Sequence, residues 1–196
     1  MYFPGMIITV PTLAEVTGHA ADMYASDMSD DGFVHTYTQA MAINPEAHHA
    51  FESLIRALVP SLGVRNYEAA TLGAARAIGS AHCLLAHGRK SVNAGLTDAA
   101  GLRGFAHDDD SAFTDAERAI MRFAAKLSSA PTTMTDADSA ELRTHGFSDR
   151  QIVDITLAAS ARNFFSRALL ALVVPVDDMP GLDPDAAEAL RARAVR

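Results

Sequence analysis

The chain holds a single cysteine, Cys83, and the residues around it are of the kinds that carry proton and thiol chemistry. Between Tyr67 and His87 fall a carboxylate (Glu68), a hydroxyl (Ser80), two imidazoles (His82 and His87) and that thiol. On one unbroken helix Glu68 and Cys83 would stand roughly 22 Å apart along the axis and could not cooperate. Gly79 followed by Ser80 offers the break, because glycine accepts a helix end and serine is a good cap for the helix that follows. Two helical arms can then fold back on each other. With Ser80 as the N-cap, Cys83 takes the third helical position, where free backbone N–H groups and the helix dipole favour an anion. His87 lies one turn further along the same face, within reach for proton exchange directly or through a water. His82 points about 100° away on the helical wheel. Glu68, returning from the preceding arm, would orient or deprotonate His87, giving a relay of carboxylate, imidazole and thiol.

Other readings of these residues compete. A buried cysteine is commonly an inert small hydrophobe, and a histidine often does no more than satisfy hydrogen bonds. Glu68, His82, Cys83 and His87 are all potential zinc ligands, but donors at adjacent helical positions diverge and neither CxxC nor HExxH spacing occurs. No metal or organic cofactor is therefore expected. Ser80 lacks a G-x-S-x-G setting, which argues against a Ser-His hydrolase.

The elements that must position this cluster read as helices. Ala, Leu, Met and Glu recur at helical spacing while alternating apolar and polar runs are scarce, so the fold class is all-α. The pattern predicts helices near 11–29, 45–58, 65–78, 81–94, 98–104, 114–129, 135–144 and 149–173, with a looser C-terminal turn at 184–194. Asn44 before Pro45, Thr114 with Glu117 and Ser148 with Gln151 mark three helix starts. Thr135 and Thr97 are two further candidate caps. The acidic run Asp108, Asp109, Asp110 has no apolar face and reads as an exposed loop. Pro175 ends the long helix, and the turn-rich stretch beyond it reads as a surface tail.

With 196 residues and 49% hydrophobic content, the chain has the size and apolar material of a single domain spanning 1–196. Its formal charge of −8 would repel a phosphate backbone, so nucleic acid is an unexpected partner. A lone cysteine excludes a disulfide within the chain and fits a reducing, cytoplasmic setting. The stretch Met1 to Val10 lacks a basic n-region and a cleavage site, and is expected to be mature chain. The apolar tract Ile152 to Val174 contains Asp154, Arg162, Asn163 and Arg167, each charge costing about 2.5–3.5 kcal/mol near a bilayer centre, so it is expected to be a buried helix and no membrane is expected as a partner. Arg162, Asn163 and Arg167 are expected to anchor structure through carboxylate or carbonyl partners. His19, His35, His48, His49 and His145 are expected to be solvated, and Met23, Met28, Met41 and Met121 to serve core or subunit contacts.

The series Glu68, Ser80, His82, Cys83, His87 resembles the motif E-x11-C-x-H-C-x3-H of the alkyl-hydroperoxidase D-like (AhpD-like) proteins within the carboxymuconolactone decarboxylase superfamily, with four of five positions matched. The likeness covers about residues 30–175. It extends to Gly32, Phe33 and Val34 ahead of Asn44, Pro45 and Glu46, and to Thr114 through Glu117, Gly146 through Asp149 and Asn163 through Arg167. The uncharacterised peroxidase-related branch is the most similar. The resemblance implies an oligomeric helical bundle and a thiol-dependent hydroperoxide reductase in which Cys83 attacks peroxide while Glu68 and His87 relay the proton. Ser80 and His82 would be supporting polar groups. Ser80 stands where the family has its first cysteine, so a two-thiol cycle within one chain is impossible, and an external thiol or protein reductant is implied. Ser80 would instead bond Cys83 or cap its helix. Two alternatives stand beside this reading: a lyase or isomerase like carboxymuconolactone decarboxylase, with Cys83 incidental, and a non-catalytic redox-sensing or structural oligomer.

Overall fold

Side-chain caps decide where several helices begin in the computed structural model, which describes residues 5–194. Asn44 Oδ1 accepts from the Ala47 N–H, and Pro45 opens α3 (Pro45–Leu62). Capping boxes at Thr114 and Ser148 start α7 (Asp115–Ser129) and α9 (Asp149–Ala171), each satisfying two N–H groups that a bare helix start leaves free. Thr135 takes the N-cap place of α8 (Asp136–Thr144), where the Asp138 carboxylate accepts from its N–H at 2.7 Å. These starts lie where the sequence pattern puts them. Among the described residues the regular structure is entirely helical, and no helix is long and apolar enough to cross a membrane.

The core is built on α4 (Val64–Ile78), which packs against α3, α7 and α9. Its middle is almost all small residues, and Ala69, Ala70, Leu72, Ala74 and Ala75 are fully buried. Small side chains let helix axes approach closely. Gly73 is the tightest point: a Cβ built there would sit 2.5 Å from the Met121 carbonyl oxygen on α7. Gly73→Ala is therefore expected to destabilise the protein by about 1–3 kcal/mol through overpacking, although alanine is the better helix former by about 1 kcal/mol. Chemical denaturation of the two forms measures the difference, and an unchanged midpoint would show that α4 and α7 can move apart at little cost.

Gly79 ends α4 in the left-handed conformation (φ 74°). Its N–H reaches the Arg76 carbonyl at 3.3 Å and the Ser80 N–H reaches the Ala75 carbonyl at 3.1 Å, a Schellman closure that reverses the chain. The next helix, α5 (Ala81–Asn93), starts at once and runs back beside α4.

The structure corrects the expected elements in four places. The first helix, α1 (Gly18–Asp31), starts seven residues later than 11, because the Glu15 carboxylate accepts from the Thr12 N–H and closes a turn there. A six-residue helix, α2 (Thr36–Met41), appears where none was expected, held by the Asp177 carboxylate on the Thr36 N–H at 2.6 Å. Asp98, rather than Thr97, caps α6 (Ala99–Ala106). The expected C-terminal tail is α10 (Pro184–Ala194), which docks on α5 and α6 and buries Ala186 and Leu190 completely. The first four residues of the stretch Met1 to Val10 lie outside the described range.

The histidines expected in solvent divide. His145 is exposed. His35 is fully buried, with Nε2 2.7 Å from Asp31 and Nδ1 3.8 Å from Asp177. Burial pushes its pKa down, but the Asp177 and Asp31 carboxylates outweigh burial and hold it above the ordinary histidine range.

Candidate functional site

Reversal of the chain at Gly79 brings Glu68 on α4 beside His87 on α5, with Glu68 Oε2 2.7 Å from His87 Nδ1. Both are buried, at 3% and 4% exposure. A carboxylate can only accept, so His87 carries its proton on Nδ1 and leaves Nε2 as a lone-pair base. Burial, reinforced by the Arg162 charge, lowers the His87 pKa to about 3 despite the pull of Glu68. Burial would raise the Glu68 pKa, yet the hydrogen bond from His87 and the charges of Lys90 and Arg162 hold it below the ordinary carboxylate range. At neutral pH the pair is thus a carboxylate hydrogen-bonded to a neutral imidazole.

Cys83 is the third residue of α5 and is 2% exposed. Its sulfur accepts hydrogen bonds from Ser166 Oγ at 3.1 Å and Arg162 Nη1 at 3.4 Å, both on α9. The second Arg162 nitrogen, Nη2, lies 3.4 Å from the Tyr67 hydroxyl. The influence of Cys83 and Tyr67 outweighs burial to raise the Arg162 pKa. Cys83, His87, Arg162, Tyr67, Tyr37 and Phe165 line a pocket of about 300 Å³, which Phe51 helps wall and Lys90 borders.

The other two residues of the expected cluster behave differently. Ser80 occupies the N-cap position of α5, but its side chain makes no capping bond, and its buried Oγ has no hydrogen-bond partner among the described residues. It neither bonds Cys83 nor caps the helix, which corrects both expected roles. His82 borders the pocket, yet its Nε2 donates to the Pro175 carbonyl at 3.0 Å, tying α5 to the segment after α9. Burial holds its pKa below the ordinary histidine range against that carbonyl's pull.

Arg162 was expected to be a structural anchor, and the structure turns it into the pocket. The signal for it was present: a charge in an apolar helix must find partners, and here one partner is the sulfur. Tyr67 and Ser166 had no distinguishing signal, since each is an ordinary residue until the three helices meet. Arg167 keeps the expected anchoring role, donating to the Ser128 carbonyl at 3.0 Å.

Protonation of the buried pair links it to stability. Between the ordinary histidine pKa near 6.5 and about 3, the unfolded ring binds a proton that the folded ring does not. The stabilisation from a neutral His87 is therefore complete above the upper limit and lost as pH falls through that window, at up to about 1.4 kcal/mol per pH unit. Glu68, with its lowered pKa, acts in the same direction. Thermal melts from pH 7 to pH 4 should fall more steeply for the wild type than for His87→Gln, and parallel curves would contradict this assignment.

Comparison with known proteins bears on the fold. A model of the carboxymuconolactone decarboxylase family matches residues 45–126, from the start of α3 almost to the end of α7. No curated protein matches the chain. An AhpD-core, uncharacterised peroxidase-related protein from Ralstonia eutropha JMP134 superposes with a TM-score of 0.78 at 22% identity, covering 90% of this chain and 95% of that one. An uncharacterised peroxidase-related protein from Silicibacter sp. TM1040 gives 0.69 at 21% identity, over 91% and 96% of the two chains. The debrominase Bmp8, in complex with 2,3,4-tribromopyrrole, gives 0.72 at 16% identity over 97% and 98%. Residues 45–126 thus match the carboxymuconolactone decarboxylase family model, within a chain that has the AhpD-like helical fold.

Proposed function

We propose that this protein is a thiol-dependent hydroperoxide reductase with Cys83 as its nucleophile. The observation that carries the reading is the shared pocket: a neutral imidazole oriented by Glu68 and a sulfur held by Arg162 and Ser166 line one cavity. In the first step His87 Nε2 takes the thiol proton, directly or through a water. The thiolate attacks the nearer peroxide oxygen, the O–O bond breaks, and sulfur is oxidised to the sulfenic acid. The leaving alkoxide takes the proton back from His87 and departs as an alcohol. An external thiol then condenses with the sulfenic acid to a mixed disulfide, releasing water, and a second thiol equivalent restores Cys83 as the free thiol. Ser80 cannot serve as resolving group, so the cycle relies on that outside reductant. We further propose that the whole chain acts as one domain, and that it assembles with copies of itself through the apolar residues Val153, Leu157 and Phe164 left exposed on α9.

A second reading keeps the nucleophile and changes the substrate. Tyr37, Phe51 and Phe165 give the pocket aromatic walls suited to a small flat ring, and one protein of the same fold is a debrominase solved with a bromopyrrole. Reductive removal of a ring halogen would use Cys83 and an external thiol in the same way.

The deciding experiment supplies purified protein with hydrogen peroxide, an alkyl hydroperoxide or 2,3,4-tribromopyrrole, each with a panel of mono- and dithiols. Peroxide-dependent thiol oxidation, with a sulfenic acid at Cys83 trapped by a dione reagent, is the expected result. Halide release without peroxide turnover would favour the second reading. Inertness toward all three substrates would leave the redox-sensing alternative.

A further inference from the structure

We propose that His19, His48, His49 and Glu52 form a binding site for a divalent transition-metal ion of zinc-like ligand preference, beside the mouth of the Cys83 pocket. The proposal stands apart from the peroxidase reading. His48 and His49 lie on the first turns of α3, and Glu52 follows them at i+4 and i+3, so its carboxylate comes up between two imidazoles that would otherwise diverge. His19, at the start of α1, closes the fourth side: its ring centroid is 5.5 Å from that of His48 and 5.1 Å from that of His49.

The donor atoms already stand near ligand spacing. Tetrahedral zinc with bonds of about 2.0–2.1 Å places its donors roughly 3.3–3.4 Å apart. His19 Nε2 is 3.3 Å from His48 Nδ1 and 3.6 Å from Glu52 Oε2, while His48 Nδ1 is 4.0 Å from the same oxygen. One donor atom from each of His19, His49 and Glu52 also falls within 4.8 Å of the others. Rotation of these side chains would bring the imidazoles and the carboxylate into one ligand set. Imidazole-rich sets select zinc, copper, nickel or cobalt over magnesium and calcium. Arg56 Nη1, 3.6 Å from Glu52 Oε2, opposes a cation, but its side chain is 59% exposed and free to turn toward water. His48 and Glu52 also line the Cys83 pocket, so a bound ion would sit at its edge.

Tag-free full-length protein, stripped with a chelator, is titrated with Zn²⁺ against a chromophoric competitor and separately with Co²⁺ under visible spectroscopy. We expect one ion per chain at micromolar or lower free zinc, with affinity reduced at least about tenfold in His19→Ala, His49→Ala or Glu52→Gln, the lower bound for losing even an outer-shell partner of a metal. Cys83→Ser should leave affinity unchanged, and the cobalt spectrum should show tetrahedral nitrogen and oxygen ligation without a thiolate charge-transfer band. Absence of saturable uptake, affinity indifferent to all three cluster substitutions while circular dichroism shows them folded, or loss of the ion with Cys83→Ser would each overturn the proposal.

Discussion

Cys83→Ser is expected to lower hydroperoxide consumption more than about a thousandfold, because removing a nucleophile leaves only binding and electrostatics to act on the substrate. The serine hydroxyl fits the same space between Ser166 and Arg162, so folding should be preserved and the loss should be chemical. Intact-protein mass spectrometry after peroxide treatment gives the companion result: one added oxygen in the wild type and none in the variant. The same substitution separates the reductase from a lyase acting through Glu68 and the histidines. A lyase would survive it, and full activity in Cys83→Ser would end the thiol mechanism.

Arg162→Met should have the next largest effect, a fall in kcat/KM of about a hundredfold or more, the scale seen when one preorganised charge-stabilising donor is removed. Methionine fills much of the same volume, so the change isolates the guanidinium. That group donates to the sulfur and faces the Tyr67 hydroxyl, which places its charge where negative charge moves from sulfur to the departing oxygen. Alkylation of Cys83 by iodoacetamide at neutral pH should slow in parallel, a readout that a purely structural role would not move. Arg162→Lys should recover part of the rate, since it keeps the charge and loses the two-pronged geometry. Because the variant leaves the Cys83 sulfur and the Tyr67 hydroxyl without this donor, some loss of melting temperature is expected as well, and circular dichroism at the assay temperature separates it from the loss of rate. Unaltered kinetics in Arg162→Met would return this residue to the structural role its position in an apolar helix first indicates.

The site was legible in the sequence where its geometry is local. Gly79 and Ser80 between two helical patterns were enough to place a reversal, and a reversal there leaves Glu68 free to meet His87. The observed 2.7 Å contact follows from that local logic. The position of Cys83 on the first turn of α5 follows from it too. Ser80 marks the limit: its backbone takes the N-cap place as its residue type favours, but whether its hydroxyl finds a partner depends on packing, and the packing leaves it buried without one among the described residues.

The amino-acid sequence alone determined the helical class, the caps at Asn44, Thr114 and Ser148, and the pairing of a carboxylate with an imidazole beside the only thiol, because each rests on contacts between residues a few turns apart in the chain or on one glycine-built reversal. Tertiary structure alone decided what surrounds the sulfur. Arg162 and Ser166 are 79 and 83 residues away from Cys83, and no periodicity or spacing encodes which face of α9 meets α5. The same reason hid the docking of α10 on α5 and the meeting of His19 with α3: contacts across such separations arise from the fit of whole surfaces, which no single stretch of sequence contains.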